Sequence, residues 1–215
     1  MSQSAIFASI SIFLYYLGFI PYIYHVFHGR VVPHPFSWSI WFIFSVTNLY
    51  ILIVTTGIEA SFYSLLARTF ALAVGVFCGW WFIRKISITR FDYFSILMAL
   101  LVIIFMNLYG MKQAIVAMVI TDIIVLLPTL RKIWVDPRTE DAIAWFMTAL
   151  SQGCLLLSLP FLTFENSFFW FYAICVNLSA GLFIHILRRQ REKRFIVRIE
   201  NLYFKCIESW KRLLH

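Results

Sequence analysis

Five polar residues stand inside otherwise apolar stretches of this chain: Asn48, Arg68, Asp122, Gln152 and Asn177. A charge in hydrocarbon is expensive, so each one has to face a bundle interior, a partner or an aqueous cavity. Arg68 and Asp122 carry opposite signs, and meeting would offset the burial cost of both. They are the expected charge pair, acting as a gate, a substrate clamp or a proton-linked couple. An outward-snorkelling Arg68 or a purely structural pair is the plainer alternative. Carboxamides both donate and accept, which suits neutral polar solutes. Asn48, Gln152 and Asn177 are the expected substrate contacts, with interhelical hydrogen bonding as their other use. Pro21 and Pro128 each remove a backbone donor near a helix end and are expected hinges, or simple terminators. Trp38 and Trp145 sit near span ends, where they gate a pathway or anchor in the interface. His25, His28 and His34 lack the carboxylate or cysteine that completes a usual ligand set, so no metal and no cofactor are expected. No catalytic motif pairs a nucleophile with a base, and an enzyme is not expected.

The elements that position these residues are read from missing charge. The chain has 215 residues, 62% of them hydrophobic and only 13% charged, with a mean hydropathy of +0.85. A soluble globule of this composition would leave large apolar patches in water. The four cysteines are far apart and form no CxxC pair, which argues against a disulfide or zinc framework. The first residues carry no Lys or Arg, so the first apolar run reads as a retained span rather than a cleaved leader. A helical span needs ~20 apolar residues. Stretches with at most one charge predict seven helices, near 5–27, 36–56, 61–83, 92–110, 113–132, 141–162 and 167–187. At 1.5 Å per residue, Arg68 and Asp122 lie about 11 and 14 Å along their helices, and the three amides about 15–18 Å. With seven spans, sixteen Lys and Arg fall on one side and only Lys112 on the other, Arg68 being within a span. The positive-inside rule then places the N-terminus outside and the C-terminus in the cytoplasm. Residues 189–215 read as a separate basic amphipathic helix on the anionic cytoplasmic leaflet, with Ile199, Leu202, Tyr203, Cys206, Trp210 and Leu213 at helical spacing. Topology explains that basic charge, so no nucleic-acid partner is expected.

The chain also repeats itself. Pro21 is followed by Trp38 after seventeen residues, and Pro128 by Trp145 after seventeen. Further prolines, Pro33, Pro35 and Pro137, fall in the two loops between. Basic pairs, Arg84-Lys85 and Arg188-Arg189, end the third and seventh helices. Three spans invert a chain and a fourth restores its direction, so helices one to three and five to seven would run parallel. Parallel repeats related by an axis along the membrane normal form a known transporter layout, with the site between the halves.

The run Pro128-Thr-Leu-Arg-Lys, then Arg138-Thr-Glu140 before Trp145, resembles the loop of the SWEET/PQ-loop-like superfamily. Pro21 through Pro33-His34-Pro35-Phe36-Ser37-Trp38 resembles a first copy, and the resemblance covers residues 5–188. Tyr22 and Thr129 stand where that family has glutamine, so neither copy has the literal Pro-Gln dipeptide. The family tends to place an asparagine in helices three and seven; Asn177 matches, while the neighbourhood of Ala73 has none.

The resemblance implies an all-α, polytopic fold of two three-helix repeats, 1–87 and 112–188, joined by a linker helix within 88–111, with the tail at 189–215. It implies a transporter that moves a small polar solute, such as a sugar or an amino acid, by alternating access. A receptor, sorting or assembly factor is the alternative, because the same architecture serves cargo recognition in KDEL receptors. The bilayer is the expected surroundings, a bacterial inner membrane the expected location, and a homo-oligomer is compatible with both. The expected orientation has a direct check. Green fluorescent protein fused after His215 should fluoresce, while alkaline phosphatase fused there should be inactive; the opposite pattern would invert the topology.

Overall fold

The computed structural model describes residues 2–31, 33–82 and 89–213, with side chains omitted at 91, 92, 103, 106, 107 and 193–213. Seven α-helices follow one another: α1 Gln3–Phe27, α2 Pro35–Thr56, α3 Ala60–Trp81, α4 Arg90–Tyr109, α5 Met111–Val135, α6 Ala142–Ser158 and α7 Phe164–Leu213. A short 3-10 turn, Pro137–Thr139, precedes α6, and no strand occurs among the described residues. Among the described residues, five helices are long and apolar enough to cross a membrane: α1, α2, α3, α5 and the Phe164–Glu192 part of α7. They make this an integral membrane protein. Its surface is inverted relative to a soluble protein: Phe13, Phe70, Phe77 and Leu108 are among the most exposed side chains, while Ser11, Ser61, Ser64 and Ser151 are fully buried.

Local chemistry sets the boundaries. Ser2 caps α1 by accepting from the Ala5 amide at 3.2 Å. Pro35 opens α2 at the position where a missing N–H costs nothing. Gly110, at φ +91°, turns the chain between α4 and α5, a backbone conformation that favours glycine. Asp141 caps α6 through the Ile143 amide at 3.0 Å. Helix α6 stops at Ser158 rather than near 162, because Pro160 pushes Leu159 into extended backbone (ψ 138°). Pro21 and Pro128 do not end their helices: α1 continues six residues beyond the first and α5 seven beyond the second.

The tail is not a separate element. Helix α7 runs unbroken for 50 residues, well past 188. Neither glycine nor proline follows Gly181, so nothing in the backbone interrupts it. The side chains of the expected amphipathic face, and the basic pair Arg84-Lys85, lie outside the described residues.

Helix α3 packs against both α1 and α2, and α7 against both α5 and α6. The most extensive interface joins α1 to α6, which run antiparallel. On the other side α2 touches α5, and α4 packs against both.

The α1–α6 seam is built on small side chains recurring every seven residues. Ser4, Ser11 and Gly18 on α1 meet Ser158, Ser151 and Ala144 on α6. Ser4 Oγ donates to the Ser158 carbonyl at 2.5 Å. Ser11 and Ser151 each donate to the other's carbonyl, at 2.8 and 2.6 Å. His25 Nδ1 lies 3.1 Å from Asp141 Oδ2 at the far end of the row. Small residues let helix backbones approach closely, and dispersion plus hydrogen bonds then replace the hydrophobic drive that lipid cannot supply. A Cβ on Gly18 would fall 2.7 Å from Met147 Cβ, so anything larger has to spread the seam. Gly18→Leu should therefore cost about 1–3 kcal/mol and lower the thermal midpoint in detergent. Gly153→Ala, with nothing within 4 Å of the new methyl, should change stability by no more than about 1 kcal/mol. Equal melting of the two variants would remove the seam from this account.

Candidate functional site

A cavity of about 150 Å³ is bordered by residues of α1, α2, α3, α5, α6 and α7. None of the described residues of α4 borders it. Asn48, Arg68, Asp122, Gln152 and Asn177 all border it, as do Trp38 and Trp145. Pro21 and Pro128 do not, although their neighbours Tyr22 and Thr129 do.

Arg68 and Asp122 share the cavity but form no ion pair among the described residues. This corrects the expectation from sequence. Each charge is held by neutral groups on neighbouring helices. Asp122 Oδ1 accepts from the Trp41 indole N–H at 2.9 Å, and Oδ2 from the Tyr172 hydroxyl at 2.9 Å. The carboxylate on α5 thus ties α2 and α7 to it. Arg68 Nη2 donates to Ser151 Oγ at 2.7 Å. Its guanidinium carbon lies 4.9 Å from the centre of the Tyr15 ring and 5.5 Å from that of Trp170. Aromatic faces attract cations, most strongly away from water. Ser64 Oγ donates to Ser11 Oγ at 2.9 Å, so Arg68 hangs from the same hydroxyl network that closes the α1–α6 seam.

The amides are partly spent on each other. Asn177 Nδ2 donates to Gln152 Oε1 at 3.3 Å and to the Ala173 carbonyl at 2.7 Å. Both its hydrogens are therefore used, leaving Asn177 Oδ1 and Gln152 Nε2 as the unspent groups of the pair, in the amide orientation assigned by this network. Asn48 Nδ2 donates back to its own helix at Phe44 O, 2.9 Å away.

The tryptophans divide differently from the expected gate. Trp38 packs against Gly75, where an added Cβ would fall 1.9 Å from the ring. Trp41, not Trp38, meets Trp145 edge to face, with 6.0 Å between ring centres. Trp145 Nε1 also donates to Glu140 Oε2 at 3.5 Å.

Below these rings a layer of charged contacts crosses the bundle. Lys132 Nζ donates to Glu140 Oε1 at 2.5 Å. Arg188 donates to the carbonyls of Pro137 and Glu140. Arg191 donates to the carbonyls of Trp134 and Val135, capping α5 where its dipole is negative. His28 bonds Tyr24 O at 2.8 Å, and His34 borders the cavity.

Sequence reasoning missed Tyr15, Trp41, Ser151, Trp170 and Tyr172, which surround the two charges. A signal existed for one of them: Ser151 belongs to the row of small side chains spaced seven residues apart. The aromatic residues carried none, because tyrosine and tryptophan are abundant throughout this chain. Comparison with protein-family models, with curated proteins and with solved structures finds no match for this chain.

Ser151→Ala removes both the reciprocal bond to Ser11 and the oxygen that receives Arg68. It should cost about 1–3 kcal/mol, because buried donors lose their partners. Ser9→Ala, whose hydroxyl only bonds its own exposed turn, should melt like the parent protein. Thermal unfolding of the two variants in detergent makes the comparison.

Proposed function

We propose that the chain is a membrane transporter that moves a small polar solute by alternating access between two three-helix units. The observation that carries this reading is the cavity between α1–α3 and α5–α7, bordered by polar side chains from both trios. Asn48, Gln152 and Asn177 contact the solute in this scheme, and Arg68 and Asp122 provide charge in the same space. Trp41 and Trp145 close the basic end, and Pro21 in α1 and Pro128 in α5, each lacking a backbone donor, serve as hinges for rocking.

The 3+1+3 organisation is supported by packing order: the third helix of each trio lies against the other two. It is supported again by position. Tyr15 and Asp122 are separated by the same 107 residues as Pro21 and Pro128, and Arg68 and Tyr172 by the same 104 as the basic pairs. Tyr15 lies against Arg68, and Asp122 bonds Tyr172. Each trio thus couples one tyrosine to one charge, with the helices carrying them exchanged. These features favour a divergent member of the SWEET/PQ-loop-like group, with α4 as linker and the basic end in the cytoplasm of a bacterial inner membrane. The basic residues beyond Arg191 then meet an anionic leaflet.

Uptake into proteoliposomes tests the proposal, with sugars, amino acids and vitamins supplied with and without a proton gradient. Flux above that of protein-free vesicles is expected for at least one solute. Asn177→Ala and Gln152→Ala should each lower it about tenfold, the worth of one buried hydrogen bond near charge. Absence of flux across the panel, with Asn177→Ala and Asp122→Asn silent in cells, would overturn transport and favour a receptor of the same architecture.

A further inference from the structure

Arg68 is a buried charge whose hydrogen-bonding capacity the fold leaves unspent. A guanidinium offers five N–H donors and no acceptor. Only 4% of Arg68 is exposed, and Nη2 alone has a partner, Ser151. Nε and Nη1 are buried with no hydrogen-bond partner. No carboxylate lies within ion-pair distance of Arg68 among the described residues. Asp122, in the same cavity, is the opposite case, since each of its oxygens already accepts a hydrogen bond. The cavity therefore holds a satisfied anion and an unsatisfied cation.

We infer that Arg68 is the carboxylate-binding group of this cavity, and that its ligand is a small monocarboxylate with an apolar or aromatic body. Guanidinium donors match carboxylate geometry and hold it by charge-assisted bonds. They match phosphate as well, but Asp122 and Glu140 border the same space and repel a second negative charge where water is scarce. Size limits the rest of the molecule. An apolar protein cavity of about 150 Å³ accommodates benzene, so the body is about one ring. Trp41, Trp145, Phe169 and Trp170 supply the walls, and aromatic side chains favour flat apolar partners. This inference names the substrate class of the proposed transport site. It rests on that reading for crossing the membrane and on Arg68 alone for binding.

The test is binding to the purified full-length protein in lipid nanodiscs, followed by calorimetry. The probes are benzoate, its neutral isostere benzamide and the dianion phenyl phosphate. Benzoate should bind saturably, with the other two at least about tenfold weaker, the worth of one charge-assisted contact. Arg68→Gln should lose at least about tenfold in benzoate affinity while leaving benzamide unchanged, and Arg68→Lys should lose less than Arg68→Gln. The comparison of ligands on the unaltered protein needs no variant, so a misfolded Arg68→Gln does not weaken the test. Benzamide or phenyl phosphate binding as tightly as benzoate, benzoate affinity surviving Arg68→Gln, or no saturable benzoate binding would each overturn the inference. Flux separates the two proposals. Arg68-dependent benzoate binding, with no uptake of benzoate or of any solute in the panel above protein-free vesicles at alkaline pH, sinks transport and keeps the carboxylate site. Uptake of neutral solutes with no preference for carboxylates sinks the site and keeps transport.

Discussion

Helices in a bilayer gain nothing by hiding leucine from lipid, so they must be held by close backbone approach and by polar contacts. In this protein that constraint is met along α1 and α6. Ser4, Ser11 and Gly18 face Ser158, Ser151 and Ala144 at every second turn, and His25 meets Asp141 at the end. Hydrogen bonds of this kind are worth about 0.6 kcal/mol each on average in membranes. The close approach they accompany adds dispersion over the full length of both helices. The seam joins α1 to α6 on one side, while α2, α4 and α5 meet on the other, and the cavity is the space between.

The buried charges are attached to that frame. Arg68 leaves α3 and bonds Ser151, a residue of the seam, while Ser64 one turn earlier bonds Ser11. Asp122 links α5 to α2 through Trp41 and to α7 through Tyr172. Each charge is thus a junction of helices, held by neutral donors, acceptors and rings instead of by its opposite. The consequence is chemical: Asp122 is satisfied by Trp41 and Tyr172, while Arg68 keeps Nε and Nη1 without partners beside the same small cavity. A direct pair would have neutralised both and left the space without a polar handle for an ionised ligand.

The basic end is organised by a different device. Arg188 and Arg191, on the unbroken α7, reach the carbonyls of the turn before α6 and of the last residues of α5. Lys132 holds Glu140 against the same turn. Basic residues at this end are thus used to satisfy helix-end and turn carbonyls.

Much of the architecture was legible along the chain. Missing charge located seven helices within a few residues, and the residues placed inside them by hydropathy, Asn48, Arg68, Asp122, Gln152 and Asn177, all border one cavity. The exceptions have local causes: Pro160 shortened α6, and the absence of glycine or proline after Gly181 carried α7 through the expected boundary at 188. Partnership was not legible. Sequence could say that a buried charge needs compensation, because desolvation depends on depth alone. It could not say that tyrosine, tryptophan and serine would provide it, or that Asn177 would spend its hydrogens on Gln152 and Ala173. Those choices depend on the rotation of each helix about its axis and on the distance between neighbours, and both are decided only when the helices pack, as when small residues on α1 and α6 let those two helices close on one another.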